Sequence, residues 1–159
     1  MKNPKFKTAL LGVLTLLTLG LFTTGCSSDD NSSEPFKQEK DTYKITVTLA
    51  DVDQDRDYVS ITFVGGTITG KTDVWKVNGV VKTNEAAASL SKKDFGTGAK
   101  TYVIETTEPI HALTGSVQII NYGADLPFNY TIEKAGKVLI SEKATLSGDG
   151  KDFTKQYTF

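Results

Sequence analysis

From residue 41 onward the chain alternates apolar and polar side chains with a period of two. Tyr43, Ile45, Val47 and Leu49 are separated by Lys44, Thr46 and Thr48, which is the pattern of a strand with one buried face. Val59, Ile61 and Phe63 repeat it in a second strand, ended by Gly65-Gly66. Residues 73–82 carry Asn78-Gly79 between Val77 and Val80-Val81, a signal for a hairpin with a type I′ turn, because Asn and Gly adopt its positive φ angles cheaply. Further strands are expected at residues 101–106, 116–122, 128–134, 137–143 and 153–159, with a hairpin turning at Ala135-Gly136. The alanines of residues 84–90 suit a helical turn.

About nine short strands with turn residues between them, and no crossover helix of ten or more residues, exclude a parallel α/β fold and predict an all-β, antiparallel sandwich over residues 41–159. Strand spacing of this kind resembles immunoglobulin-like and related Greek-key domains, with Trp75 as a core filler, although no Cys…Trp…Cys framework accompanies it. The final Tyr157-Thr158-Phe159 resembles the assembly signal of outer-membrane β-barrels. Strands near seven residues are too short for that, since a barrel strand needs about 9–11 to cross the bilayer.

The amino terminus follows a different pattern. Lys2, Lys5 and Lys7 precede an apolar run over residues 9–22 and then Thr23-Thr24-Gly25, and Asp, Glu, Asn and Gln are absent from residues 4–25. The run is short of the ~20 residues that span a bilayer and matches a signal-peptide core, so residues 1–25 are expected to be a removed export signal. Leu21-Phe22-Thr23-Thr24-Gly25-Cys26-Ser27-Ser28 resembles the lipobox of bacterial lipoproteins, with Thr23 where Leu is usual. That resemblance implies a diacylglyceryl group on the Cys26 thiol, cleavage after Gly25, and acyl chains such as palmitate holding the protein to a membrane. Two or three buried chains at ~0.8 kcal/mol per methylene exceed the marginal hold of a single one. It also accounts for an unpaired cysteine, the only one in the chain, in an exported protein.

Residues 27–34 contain no apolar side chain and lead to Pro35, so residues 26–40 read as a lipidated cysteine on a flexible acidic tether. Ser28-Asp29-Asp30 resembles the acidic export signal of Bacteroidota lipoproteins, which implies display on the outer face of the outer membrane; retention on the periplasmic face is the alternative.

Charge narrows the partners. The formal net charge is −1, and the mature chain is more acidic still because three lysines leave with the signal. Arg56 is the single arginine and is flanked by aspartates, which argues against nucleic acid.

One stretch concentrates a chemistry. Asp51, Asp53, Asp55 and Asp57 occupy alternate positions between the first two strands. Hard cations such as Ca²⁺ take six to eight oxygens, and a short Asp-x-Asp-x-Asp loop supplies several. The loop is not an EF-hand, since Arg56 stands where Gly is needed and Thr62 where the bidentate Glu is needed. The other reading is a solvated, self-repelling turn that blocks edge pairing. His111 is the only histidine, so His-based zinc sites and Ser-His-Asp triads are hard to assemble, and it is expected to pack near a strand edge. Glu105, Glu108, Glu133 and Glu142 could serve a glycosidase, but their spacing selects no pair. Trp75, Tyr58, Tyr122, Phe128 and Tyr130 are expected in the core or in cross-strand pairs, with sugar stacking as the functional alternative. Gly65-Gly66, Gly96-Thr97-Gly98 and Gly148-Asp149-Gly150 open no helix and read as turns rather than phosphate cradles.

Taken together, the sequence points to a non-enzymatic, lipid-anchored binding or scaffolding module on a bacterial outer membrane, with an unidentified protein or glycan partner. A glycan-binding or calcium-dependent adhesion domain is the alternative. The anchor is directly testable: intact mass of the purified protein should correspond to a chain starting at Cys26 with added acyl groups, and Cys26→Ala should abolish both lipid labelling and cleavage after Gly25. A mature chain that starts elsewhere or carries no acyl mass removes the anchor.

Overall fold

A computed structural model describes residues 41–159. The signal segment 1–25, Cys26, the Ser28-Asp29-Asp30 signal and the remainder of the tether to residue 40 lie outside the described residues.

Ten strands are described: β1 (Tyr43–Ala50), β2 (Tyr58–Gly66), β3 (Trp75–Val77), β4 (Val80–Lys82), β5 (Ala87–Ser91), β6 (Ala99–Thr106), β7 (Ala112–Asn121), β8 (Leu126–Lys134), β9 (Lys137–Leu146) and β10 (Lys151–Thr158), with one 3-10 turn at Lys92–Asp94. They form two antiparallel sheets packed as a sandwich, one of six strands in the order β4-β3-β6-β1-β8-β9 and one of four in the order β10-β7-β2-β5. The all-β sandwich expected from the alternation is thus the fold. Its strand order differs from that of an immunoglobulin constant-type domain, whose first two strands lie side by side in one sheet. Here β1 and β2 belong to opposite sheets.

The alternation explains the core. Tyr43, Ile45, Val47 and Leu49 of β1 are buried, in register with the buried Phe128, Tyr130 and Ile132 of β8, and they face Val59, Ile61 and Phe63 of β2 and Leu113, Val117 and Ile119 of β7. Trp75 is fully buried, and its indole N–H donates to the Ala86 carbonyl at 3.3 Å. Both expected hairpins form. Asn78 and Gly79 have φ of 48° and 80°, and Ala135 and Gly136 have 48° and 78°, the paired positive values of a type I′ turn.

Two expectations are corrected. Residues 84–90 are not a helical turn: β5 starts at Ala87 and pairs with β2 from Ala87↔Val64 to Ser91↔Ser60. Ala88 and Leu90 are buried while Ser89 and Ser91 are exposed, so burial at alternate positions on an open sheet edge outweighs the helical preference of alanine. The strand expected from residue 116 begins four residues earlier, at Ala112, and runs through Gly115. Gly115 is there because the Phe63 ring of the neighbouring strand lies over it: a Cβ at 115 would come within 2.3 Å of Phe63 Cε1.

The final strand closes one open side of the sandwich with aromatic rings. Phe153 packs on Phe128 (centroids 4.8 Å apart) and Tyr130 (6.0 Å), Tyr157 meets Tyr130 and Phe159 (6.1 Å each), and Phe159 meets Tyr43 (6.1 Å). The Tyr130 and Tyr157 hydroxyls hydrogen-bond each other. Burial, followed by that bond, holds the Tyr130 hydroxyl well above the ordinary tyrosine range, so it stays protonated. Phe159 exchanges backbone hydrogen bonds with Leu113. The terminal Tyr-Thr-Phe therefore seals a sandwich edge between two sheets.

Gly115→Ala should lower stability by ~1–3 kcal/mol, the usual cost of overpacking, and lower the melting temperature by several degrees, read by thermal denaturation. An unchanged midpoint would mean that Phe63 does not rest on Gly115.

Candidate functional site at the loop end

β1 leaves the six-stranded sheet at Ala50 and β2 enters the four-stranded sheet at Tyr58, so the intervening residues must cross between sheets at one end of the sandwich. Backbone at such a corner has no ladder partner, and buried N–H groups need one. The aspartates supply it. The Asp53 carboxylate accepts the N–H groups of Asp55 (3.0 Å) and Arg56 (3.2 Å), an Asx turn, while the Asp57 N–H donates to the Asp53 carbonyl at 2.8 Å. Asp57 is 2% exposed: one oxygen accepts the Asp53 N–H at 2.9 Å and the other the Tyr122 N–H at 2.9 Å. The Arg56 guanidinium donates to the Tyr122 carbonyl, so the β1–β2 loop is clamped to the end of β7 by a carboxylate and a guanidinium at once.

A second seam joins this loop to the segment between β5 and β6. Asp51, at φ 56°, donates its N–H to the Gly98 carbonyl (3.3 Å) and accepts the Gly98 N–H on its carboxylate (2.8 Å), and the buried Val52 donates to the Gly96 carbonyl at 3.1 Å. The Gln54 side-chain amide donates to the Phe95 carbonyl, and Lys100 Nζ reaches the same oxygen at 3.4 Å. Between these walls lies an open cleft of about 660 Å³, bordered by Asp51, Asp53 and Gln54 on one side and by Gly96, Thr97 and Lys100 on the other. Asn121 ties in the last loop, donating to the Leu146 carbonyl (2.8 Å) and Gly148 carbonyl (3.3 Å) and accepting from Gly123 N–H (2.9 Å).

The four aspartates are therefore neither the straight row of a regular strand nor a closed cage. Asp51 and Asp53 border the cleft, Asp57 is buried against β7, and Asp55 is exposed. Among the described residues, no group of three or more His, Cys, Asp or Glu side chains is gathered so as to hold a metal ion. The other candidates lie apart. His111 is exposed just ahead of β7, its backbone N–H on the Gly66 carbonyl (2.8 Å). Glu105 pairs with Lys76 (2.9 Å), Glu108 with Lys71 (2.5 Å) and Glu133 with Lys44 (3.9 Å); Glu142 lies on β9. Trp75, Phe128 and Tyr130 are core residues, whereas Tyr58 and Tyr122 are 44% and 40% exposed at the loop end. No local pattern singled out Gln54, Thr97 or Lys100 as lining a cleft, although Gly96-Thr97-Gly98 marked the turn that brings two of them there.

No protein-family model matches the sequence, and no curated protein matches it. Among solved structures, the chain resembles a DUF4425 family protein from Bacteroides ovatus, with a TM-score of 0.55 and 12% identity over 76% of this chain and 94% of that one. A DUF4425 domain from Bacteroides vulgatus gives 0.54 and 14% over 74% and 92%. The calcium-bound form of a protein from Parabacteroides distasonis, solved by NMR, gives 0.56 and 15% over 80% and 98%. The likeness is one of fold.

Asp57→Ala leaves two N–H groups without their acceptor and should cost about 2–4 kcal/mol, whereas Asp55→Ala should change stability by less than about 0.5 kcal/mol. Urea denaturation of the two variants checks this; equal effects would mean that Asp57 is no clamp.

Proposed function

We propose that the protein is a lipid-anchored, non-catalytic binding or scaffolding module of a bacterial outer membrane, displayed at the cell surface, which engages a protein or glycan partner through the loop end of its sandwich. The observation that carries this reading is the direction of β1. Asp41, where the expected tether joins the domain, is bridged to Ile110 at one end of the sandwich, and the eight residues of β1 lead to the Asp51–Asp57 loop at the other. At ~3.3 Å per residue that is about 26 Å, so the cleft and the exposed Tyr58 and Tyr122 lie at the opposite end of the domain from Asp41. Exposed aromatics and a polar cleft at the same end of a sandwich suit recognition of a sugar or a protein loop. Arg56, the single arginine, hydrogen-bonds the Tyr122 carbonyl and stands between aspartates, which suits no phosphate backbone.

A second reading, that binding at this end depends on calcium, is favoured by the calcium-bound protein from Parabacteroides distasonis that shares the fold. The donor set fits in part. Asp57 has both oxygens engaged, while Asp55 and one oxygen each of Asp51 and Asp53 accept no hydrogen bond among the described residues; these oxygens are the ones left to an ion, and the loop would have to curl further to gather them. Calcium would there neutralise a loop whose charges otherwise repel one another.

Whole cells treated with protease should lose the domain while periplasmic controls survive, and Asp29→Ala with Asp30→Ala should protect it; equal protection of wild type and variant places the protein on the periplasmic face. Thermal denaturation separates the two readings. A calcium-dependent site should raise the melting temperature by several degrees in millimolar calcium, about 2.7 kcal/mol at 100 times the Kd, and Asp53→Asn with Asp55→Asn should remove the gain. An unchanged wild-type midpoint leaves the loop a solvated turn.

A further inference from the structure

The two outer faces of the sandwich differ in charge. On the six-stranded sheet, Lys44 and Glu133 and, beside them, Lys76 and Glu105 form ion pairs, as is usual for a solvated β face. The four-stranded sheet is different. Its register places Ser89, Thr62, Ser116 and Gln156 in one row across all four strands, and Ser91, Ser60, Gln118 and Thr154 in the next. The row nearer the tether end is Ala87, Val64, Thr114 and Thr158, and the row nearer the loop end is Tyr58, Ile120 and Asp152. Asp152 is the one charged side chain in these four rows, in a chain that is 23% charged. The lysines of β10 do not break the pattern: Lys151 and Lys155 alternate with the row residues and share the side of Phe153, and Lys155 Nζ lies 6.0 Å from that ring. Depletion of charge with retention of hydroxyls and amides is the composition of a surface that is covered at times, since charged groups are the costly ones to desolvate.

A trough of about 270 Å³ crosses this face over Gly115, between Thr62 and Val64 of β2, Thr114 and Ser116 of β7, and Gln156 and Thr158 of β10. We propose that the outer face of the four-stranded sheet is a docking surface for a neutral polysaccharide. Charge complementarity sets the class: a face without cations gives no purchase to an anionic lipid, a nucleic acid or an acidic peptide, whereas hydroxyls and amides donate to and accept from sugar hydroxyls equally well. The threonine methyls, the exposed Val64 and Ile120 meet the C–H surface of a pyranose. Area disfavours a second copy of the chain: three strands of eight to ten residues and one of five, ~4.8 Å apart, make a face of about 500 Å² in plan, short of the ~800 Å² per partner of a stable protein interface. The proposal rests on the reading of the domain as a binding module, but on a surface separate from the loop end.

Affinity electrophoresis of the full-length protein in neutral detergent tests it, with starch, laminarin, yeast mannan or arabinoxylan in the gel, and with polygalacturonate and chondroitin sulfate as polyanions. At least one neutral polysaccharide should retard the protein, with or without EDTA, and neither polyanion should. Gln118→Glu and the milder Gln118→Ala should weaken retardation, the former by about tenfold in the association constant, while Thr131→Glu on the other sheet leaves it intact; circular dichroism verifies that each variant is folded. No retardation by any of the four neutral polymers, or undiminished retardation of folded Gln118→Glu, overturns the proposal. Retardation that requires calcium and is lost in Asp53→Asn also overturns it, while upholding the loop end as the binding site. A dimer by light scattering that Gln118→Glu dissociates assigns the face to self-association instead.

Discussion

A strand with one apolar face stays dry only when a second sheet covers that face, and in this protein the chain meets the requirement by sending successive strands to opposite sheets. β1 enters the six-stranded sheet, β2 the four-stranded one, and the hairpins β3–β4 and β8–β9 are the only places where consecutive strands pair within one sheet among the described residues. Each crossing is a corner where backbone groups leave a ladder and need other partners. The loop end is the consequence of that need. Asp57, Asp51 and Asn121 take up the N–H and carbonyl groups that the corners release, which makes the loops a connected, hydrogen-bonded surface.

The same need sorts the aspartates by role. A carboxylate that is 2% exposed and accepts two backbone N–H groups is part of the scaffold, and its charge is stabilised by those donors. Carboxylates with an oxygen to spare, at the edge of an open cleft, are available to a ligand. Alternation in sequence had made the four equivalent; their partners in the fold separate Asp57 from the rest.

Burial also explains how the two sheets are held against each other. Phe63 occupies space that only a glycine at 115 leaves open, and the Phe128, Phe153, Tyr130, Tyr157, Phe159 and Tyr43 rings run along the side opposite β5. Aromatic rings suit this place because they are apolar in body while Tyr130 and Tyr157 keep a hydroxyl at the boundary. With these devices filling the interior, the outer faces are left free to differ, one laced with ion pairs and the other carrying Asp152 as its one charge in the four rows.

Much of this was legible in the chain. Period two in residues 43–49 and 59–63, Asn78-Gly79 and Ala135-Gly136 determined strands, inner faces and hairpins, because a strand's facing and a tight turn's φ angles are properties of adjacent residues. Residues 84–90 were misread as a helical turn because alanine's local preference is weak and the ladder with β2 that overrides it comes from residues more than twenty positions away. Strand order, the pairing of Asp57 with Tyr122, the cleft between Asp51 and Lys100, and the uncharged rows of the four-stranded sheet were decided only in the tertiary structure. Each joins residues distant in sequence, and which sheet a strand enters depends on the packing of all the others rather than on its own composition.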